Sequence, residues 1–226
     1  VMETTARGST GAMEQHHTLH IIALSHQVRA AVARTGYALG HHCEVYADAA
    51  ELAEREPQHG IVLCAETPDP DGGGGAGLAA AAVAALTRAG CWLPVIALDA
   101  DPQTNRVVAA VKKGVLDYLP LPLDAARLSD SLARISADVA AHGEAQRQAV
   151  AAARRMADLS RREREVLDWL TRGCSNKAIA RQLTISPRTV EIHRAKMMTK
   201  LGARHAAEAI RLRLEAGACG LVMGVG

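Results

Sequence analysis

Through the first 123 residues, short apolar runs alternate with amphipathic stretches. Residues 19–24 and 61–65 are apolar runs of strand length, and 93–98 and 115–119 repeat the pattern, with a shorter strand at 44–46. Between them, 26–35, 48–55, 78–89 and 104–113 space their apolar residues as helices do; Val28, Ala31 and Val32, for example, share one face. Strands alternating with helices pair in parallel through right-handed crossovers, which predicts an α/β domain with an open, doubly wound, five-stranded parallel sheet over 18–123. Residues 1–17 lack periodicity and read as a disordered lead.

From Asp124 the pattern becomes helical without interruption. Leu128, Leu132, Ile135 and Val139 are four, three and four apart, and the register runs on through His142, Gln146, Ala149, Ala153 and Met156. This predicts a connector helix over 124–157, with Gly143 a weak point costing about 1 kcal/mol against Ala. A four-three repeat also favours a left-handed helix pair, hence contact with a second copy.

Four shorter helices are predicted over 158–217, an all-α unit. Ser160 and Glu163 have capping-box spacing, Val166, Leu167, Trp169 and Leu170 supply a core face, and Gly173 ends the first helix. Ser175 caps a second helix carrying Ala178, Ile179 and Leu183. Thr184–Ile185 is a tight turn, and Ser186–Pro187 starts a third helix with proline where its missing N–H costs nothing. That helix buries Val190, Met197 and Leu201. Ala206, Ala209, Ile210 and Leu214 define a fourth, stopped near Gly217, with 218–226 a tail.

Helix, turn and helix over 175–194 make a helix-turn-helix whose outward residues are polar and basic, the form a major groove admits. Two surface helices of a bundle would share the spacing. Charge distinguishes the two: between Arg154 and Ala216 there are 15 Lys/Arg against 7 Asp/Glu, about +8, so the remainder carries about −6 of the total +2. A basic module beside a mildly acidic one suits a polyanion on one side only. By chemistry, Lys177, Ser186, Arg188 and Thr189 lie near helix starts and suit phosphate oxygens. Glu191, Arg194 and Lys196 suit base edges, and His193 suits either phosphate or packing.

The runs LSRREREVL (159–167), GCSNKAIA (173–180), SPRTVEIHR (186–194) and KMMTKL (196–201) resemble the DNA-binding domain of the LuxR/FixJ/NarL family, over about a quarter of the chain. The resemblance implies a transcriptional regulator that binds double-stranded DNA as a homodimer, often through the last helix. The strand–helix order and the ending GVLDYLPLPLD (114–124) are similar to a response-regulator receiver domain of a two-component system. That likeness implies an acidic pair binding magnesium, a phospho-accepting Asp, a hydroxyl and a Lys before a proline. Those positions fall on Ala23 and Leu24, Cys64, Asp99 and Leu121; only Tyr118, at the aromatic position, fits. Without clustered carboxylates or the Lys, charge on a transferring phosphoryl group is uncompensated. The expectation is a pseudo-receiver regulated independently of aspartyl phosphorylation, its input a protein partner, a small ligand or constitutive dimerisation. Glu66, Asp69 and Asp71 follow the third strand; ordinary solvated turn chemistry is expected of them, with phosphorylation in a rebuilt pocket the alternative.

A metal- or redox-sensing regulator is a further alternative, because His16, His17, His20, His26, His41, His42 and His59 crowd the first 60 residues. Neighbours on a strand face opposite ways, so His41, His42 and Cys43 do not share one ion, and no zinc-ligand spacing occurs. No metal or cofactor is therefore expected. Cysteines 43, 64, 91, 174 and 219 are scattered and odd in number, and with no secretory pattern or membrane-length apolar run they point to reduced thiols in the cytoplasm. No nucleophile–base pair or phosphate loop is present, and the glycines at 72–75 lack a following Lys-Ser/Thr, so no enzyme is expected.

Overall fold

A computed structural model describes residues 16–66 and 77–222. Five parallel strands, β1 (Thr18–Ile22), β2 (His42–Tyr46), β3 (Ile61–Ala65), β4 (Val95–Asp99) and β5 (Asp117–Pro120), form one sheet in the order β2-β1-β3-β4-β5. Helices α1 (His26–Ala38), α2 (Ala49–Glu54), α3 (Leu78–Ala89) and α4 (Thr104–Lys112) make the crossovers. The strands start and stop within a few residues of expectation, for local reasons. Pro94 has no N–H to give a ladder, so β4 begins after it. Val115 donates its amide back to the Ala110 carbonyl of α4, so β5 starts two residues later than predicted.

Every residue of β3 and β4 is buried, because helices cover both faces. Alternate residues feed two cores. Leu19, Ile21, Leu63, Ile96, Leu98 and Leu119 face one side; Ile22, Val62, Cys64, Val95 and Ala97 face the other.

Helix α5 (Ala125–Ala157) is one uninterrupted run of 33 residues capped by Asp124, whose carboxylate accepts the Arg127 amide at 2.9 Å. Leu128, Leu132 and Ile135 fill the first sheet core, Ala149 and Val150 the second, and Ala152 and Met156 a third. That third core belongs to α6 (Arg161–Thr171), α7 (Asn176–Leu183), α8 (Pro187–Leu201) and α9 (Ala206–Val222).

Four expectations are corrected. The seam along α5 is spent within the chain: all but His142 and Gln146 of its residues pack in or against these cores, so it offers no continuous face to a second copy. Gly143, expected as a weak point, does not interrupt the helix: it is buried beneath Trp92, where an added Cβ would lie 3.4 Å from the ring. His16 and His17, assigned to the disordered lead, are held: His16 Nδ1 lies 2.8 Å from the Gly40 carbonyl and His17 Nε2 3.0 Å from Ser136 Oγ. Helix α9 continues through Gly217 to Val222, and Leu212 is buried where Leu214 was expected, Leu214 being 67% exposed.

Because α5 joins sheet cores to the third core, truncating it within the sheet should be felt throughout. Val150→Ala should cost about 1–3 kcal/mol, read as a lower urea midpoint of a single transition followed by far-UV circular dichroism.

Candidate nucleic-acid interface

The third core fixes how the outward residues are presented. Ser160 caps α6 in a capping box: its hydroxyl accepts the Glu163 amide at 3.3 Å, and the Glu163 carboxylate accepts the Ser160 amide at 2.8 Å. The same carboxylate receives Lys200 Nζ at 2.7 Å, pinning the end of α8 to the start of α6. Burial pushes Glu163 up, but the Lys200 ammonium and the Ser160 amide outweigh it and hold the carboxyl below its ordinary value. Between α7 and α8, Thr184 takes the left-handed conformation at φ 56°, closing α7 in the two-residue turn. Ser186 then caps α8, accepting the Thr189 amide at 3.0 Å, with Pro187 in the first helical position.

The predicted DNA-facing residues gather on one side of α7 and α8. Lys177, Arg188, Glu191 and Lys196 are exposed, whereas Thr189, His193 and Arg194 are half-buried. Several are engaged. Arg188 pairs with Glu191 at 3.2 Å, an exposed contact that a phosphate can displace. Arg194 donates to Asn176 Oδ1 at 2.6 Å, bracing α8 against the first turn of α7. Ser186 and Thr189 hydroxyls lie 2.8 Å apart. None of these side chains is sealed in the core. Two residues were missed: Asn176, legible only once α7 and α8 are docked, and Ile192, 47% exposed in the middle of the polar face.

The second candidate site, the receiver-type pocket, is closed from within. Ala23 is buried and Leu24 is 62% exposed, so neither offers a metal ligand. Cys64 is fully buried inside β3, and burial, then the nearby Glu66 charge, drives its thiol pKa far upward. Leu121 packs against the first sheet core before a cis peptide bond to Pro122, and its amide donates to the Asp99 carbonyl. Asp99 is buried, accepting the Tyr118 hydroxyl at 2.7 Å and pairing with Arg106 of α4 at 3.3 Å. Burial, then the Asp99 bond, raises the Tyr118 pKa.

Glu66 corrects the expectation of a solvated loop. Its side chain is 2% exposed, accepts the Leu78 and Ala79 amides at 2.7 and 3.1 Å, and lies 3.7 Å from Arg106. Gly77 supplies no capping side chain to α3, so Glu66 satisfies the free amides of its first turn. Asp69 and Asp71 fall outside the described residues. Among the described residues no three His, Cys, Asp or Glu side chains are grouped to hold a metal ion, and no helix is long and apolar enough to cross a membrane.

With this geometry in place, comparison with known proteins is specific. Residues 157–213 match the family of bacterial regulatory proteins of the luxR type. The match is confined to that segment, the luxR-type domain of this chain. The chain is 41% identical over 126 residues to the transcriptional regulatory protein FixJ of Bradyrhizobium diazoefficiens, covering 55% of this chain and 60% of that protein. To FixJ of Azorhizobium caulinodans it is 39% identical over 135 residues, covering 58% and 63%. A crystal structure of full-length FixJ from B. japonicum aligns over 89% of this chain and 98% of that one, with 28% identity and a TM-score of 0.44. The chain thus spans somewhat less than two thirds of the curated relatives it matches.

Two measurements check the luxR-type domain and the closed pocket. A carboxyl held below its ordinary value stabilises the fold fully above the usual carboxylate range, and that contribution is lost as pH falls through the lowered value. Glu163→Gln should therefore destabilise the chain at pH 7 by about 1–3 kcal/mol, the deficit shrinking below pH of about 4 in urea titrations. Cys64 should resist iodoacetamide at pH 8 in the folded protein and react once unfolded, as read by mass spectrometry.

Proposed function

We propose that the chain is a sequence-specific DNA-binding transcriptional regulator, not an enzyme, that acts in the cytoplasm and binds a two-fold site as a dimer. The observation that carries this reading is the exposed face of α8, held by Ser186 and Pro187 at its start and Lys200 at its end, on the basic part of the chain. Lys177, Arg188 and Thr189 position the domain on phosphates. Lys196 and Arg194 read base edges, and Glu191 orients Arg188. Ile192 offers an apolar contact to a thymine methyl group. Leu214, exposed on α9, supports a dimer through that helix rather than through α5.

The filled pocket supports output that does not depend on aspartyl phosphorylation. Cys64 stands where an acceptor carboxylate would be needed, Glu66 is committed to α3, and Arg106 answers two carboxylates of the chain itself. Acetyl phosphate with magnesium should label the protein no more than acetyl phosphate without it. Burial of Cys64 disfavours a redox handle at that position.

Selection of bound sequences from random DNA by the intact protein, at stated salt, tests the reading directly; enrichment of one two-fold motif is the expected result. On that motif Arg194→Ala should cost about 1–3 kcal/mol and relax preference at one base pair. Equal losses on the motif and on random DNA would reassign Arg194 to bracing α8 through Asn176.

A further inference from the structure

The carboxyl edge of a parallel sheet is where ligands ordinarily enter, and here Glu66, Asp99, Arg106 and Tyr118 occupy it. The opposite edge is open. Between the amino ends of β1, β3 and β4 and the underside of α5 lies a cavity of about 240 Å³. Ile61, Leu93 and Pro94 form its buried floor, Trp92 one wall, and Val139 and Ala140 of α5 its roof. Its polar lining comes from Ser136, Arg147, His17, Gln58 and His59, and includes no acidic side chain.

Two features give this space a sign and a shape. Arg147 turns Nε and one terminal nitrogen outward to Glu144, at 3.3 and 3.1 Å, while its other terminal nitrogen lies over Gly143, 3.3 Å from where a Cβ would sit. A Cβ at Gly143 would also lie 3.0 Å from Val139 and 3.4 Å from Trp92, so the residues crowding that glycine are residues lining the cavity. Glycine inside a helix costs about 1 kcal/mol against alanine; here it leaves room for a guanidinium and an indole side by side.

We propose that this cavity binds a small monocarboxylic acid with a compact apolar or aromatic body, its carboxylate on Arg147 and its body against Trp92, Val139 and the Ile61–Leu93–Pro94 floor. The volume lies below the roughly 300–1,000 Å³ of pockets for drug-sized ligands, which limits the occupant to a small acid. The body of the acid meets the apolar floor, where a further charge would carry a desolvation cost, so an occupant with one carboxylate is favoured. Burial, then His41 and His16 beside it, lower the His17 pKa, so Arg147 supplies the main attraction for the anion. The acid would touch α5 midway between Ile135 and Val150, on the helix that continues into the luxR-type domain. This names an input for the regulator proposed above, and its consequence for transcription rests on that reading; binding itself does not.

The test is calorimetric titration of the full chain with benzoate, using benzamide as the uncharged counterpart. Saturable benzoate binding, at least about tenfold tighter than benzamide, is expected. Arg147→Gln should remove that preference, and Ala140→Phe, which fills the cavity from the exposed side of α5, should abolish binding of both while leaving the circular dichroism spectrum unchanged. Absence of saturable heat with millimolar benzoate overturns the proposal, as does equal affinity for the two compounds or undiminished preference in Arg147→Gln. Should Ala140→Phe misfold, the benzamide comparison and Arg147→Gln decide alone. No DNA enters the experiment, so its failure is distinct from failure of the DNA-binding reading.

Discussion

One helix constrains the whole chain. α5 leaves the sheet after β5, covers one sheet face with Leu128, Leu132 and Ile135, returns to the other with Ala149 and Val150, and ends as a wall of the third core with Met156. Arg164 of α6 donates to the Met156 carbonyl at the end of α5 and to the Leu159 carbonyl just beyond it, tying the junction to the next unit. α9 packs back along α5, and Arg213 on α9 reaches Asp168 on α6 at 2.9 Å. Sheet and luxR-type domain are therefore joined by buried apolar contact, not by a loose linker.

The same economy operates at the carboxyl edge of the sheet. Two acidic side chains there would repel one another if left alone; Arg106 lies between them, and each has a further partner. Glu66 answers backbone amides at the positive end of α3, and Asp99 answers a phenol. Breaking such a buried set by removing one member leaves charge uncompensated, which is costlier than never having assembled it. The edge is thus organised by ion pairing internal to the chain, while the amino edge beneath α5 keeps its open space.

Much of this was legible in the order of residues. The strands and the first four helices follow from apolar period, and the starts of α6, α7 and α8 from Ser160, Ser175 and Ser186, which cap them; Ser25, Asp48 and Asp124 cap α1, α2 and α5 in the structure. What was not legible depended on distant contacts. The four-three seam of α5 is the same whether its partner is a second helix or the chain's own sheet, and only the return of Ala149 and Val150 to the core beneath α3 decides it. Glu66 reads as a turn residue among glycines until the amides of Leu78 and Ala79, twelve and thirteen residues on, come within reach. His16 and His17 lack periodicity, yet hydrogen bonds to Gly40 and Ser136 order them. Ile192 was hidden by polar neighbours, since an exposed apolar residue on a helix has no signature until the buried face is known.

Gly77 has a consequence beyond the turn it makes. A Cβ at that position would collide with both carboxylate oxygens of Glu66. A single methyl group there would act as a wedge, levering the acid off the first turn of α3 and leaving Arg106 with only Asp99 to answer among these two carboxylates. The first turn of α3 would then be left with the amides of Leu78 and Ala79 unanswered by that carboxylate. Whether Glu66 can cap α3 thus turns on one hydrogen atom in place of a carbon.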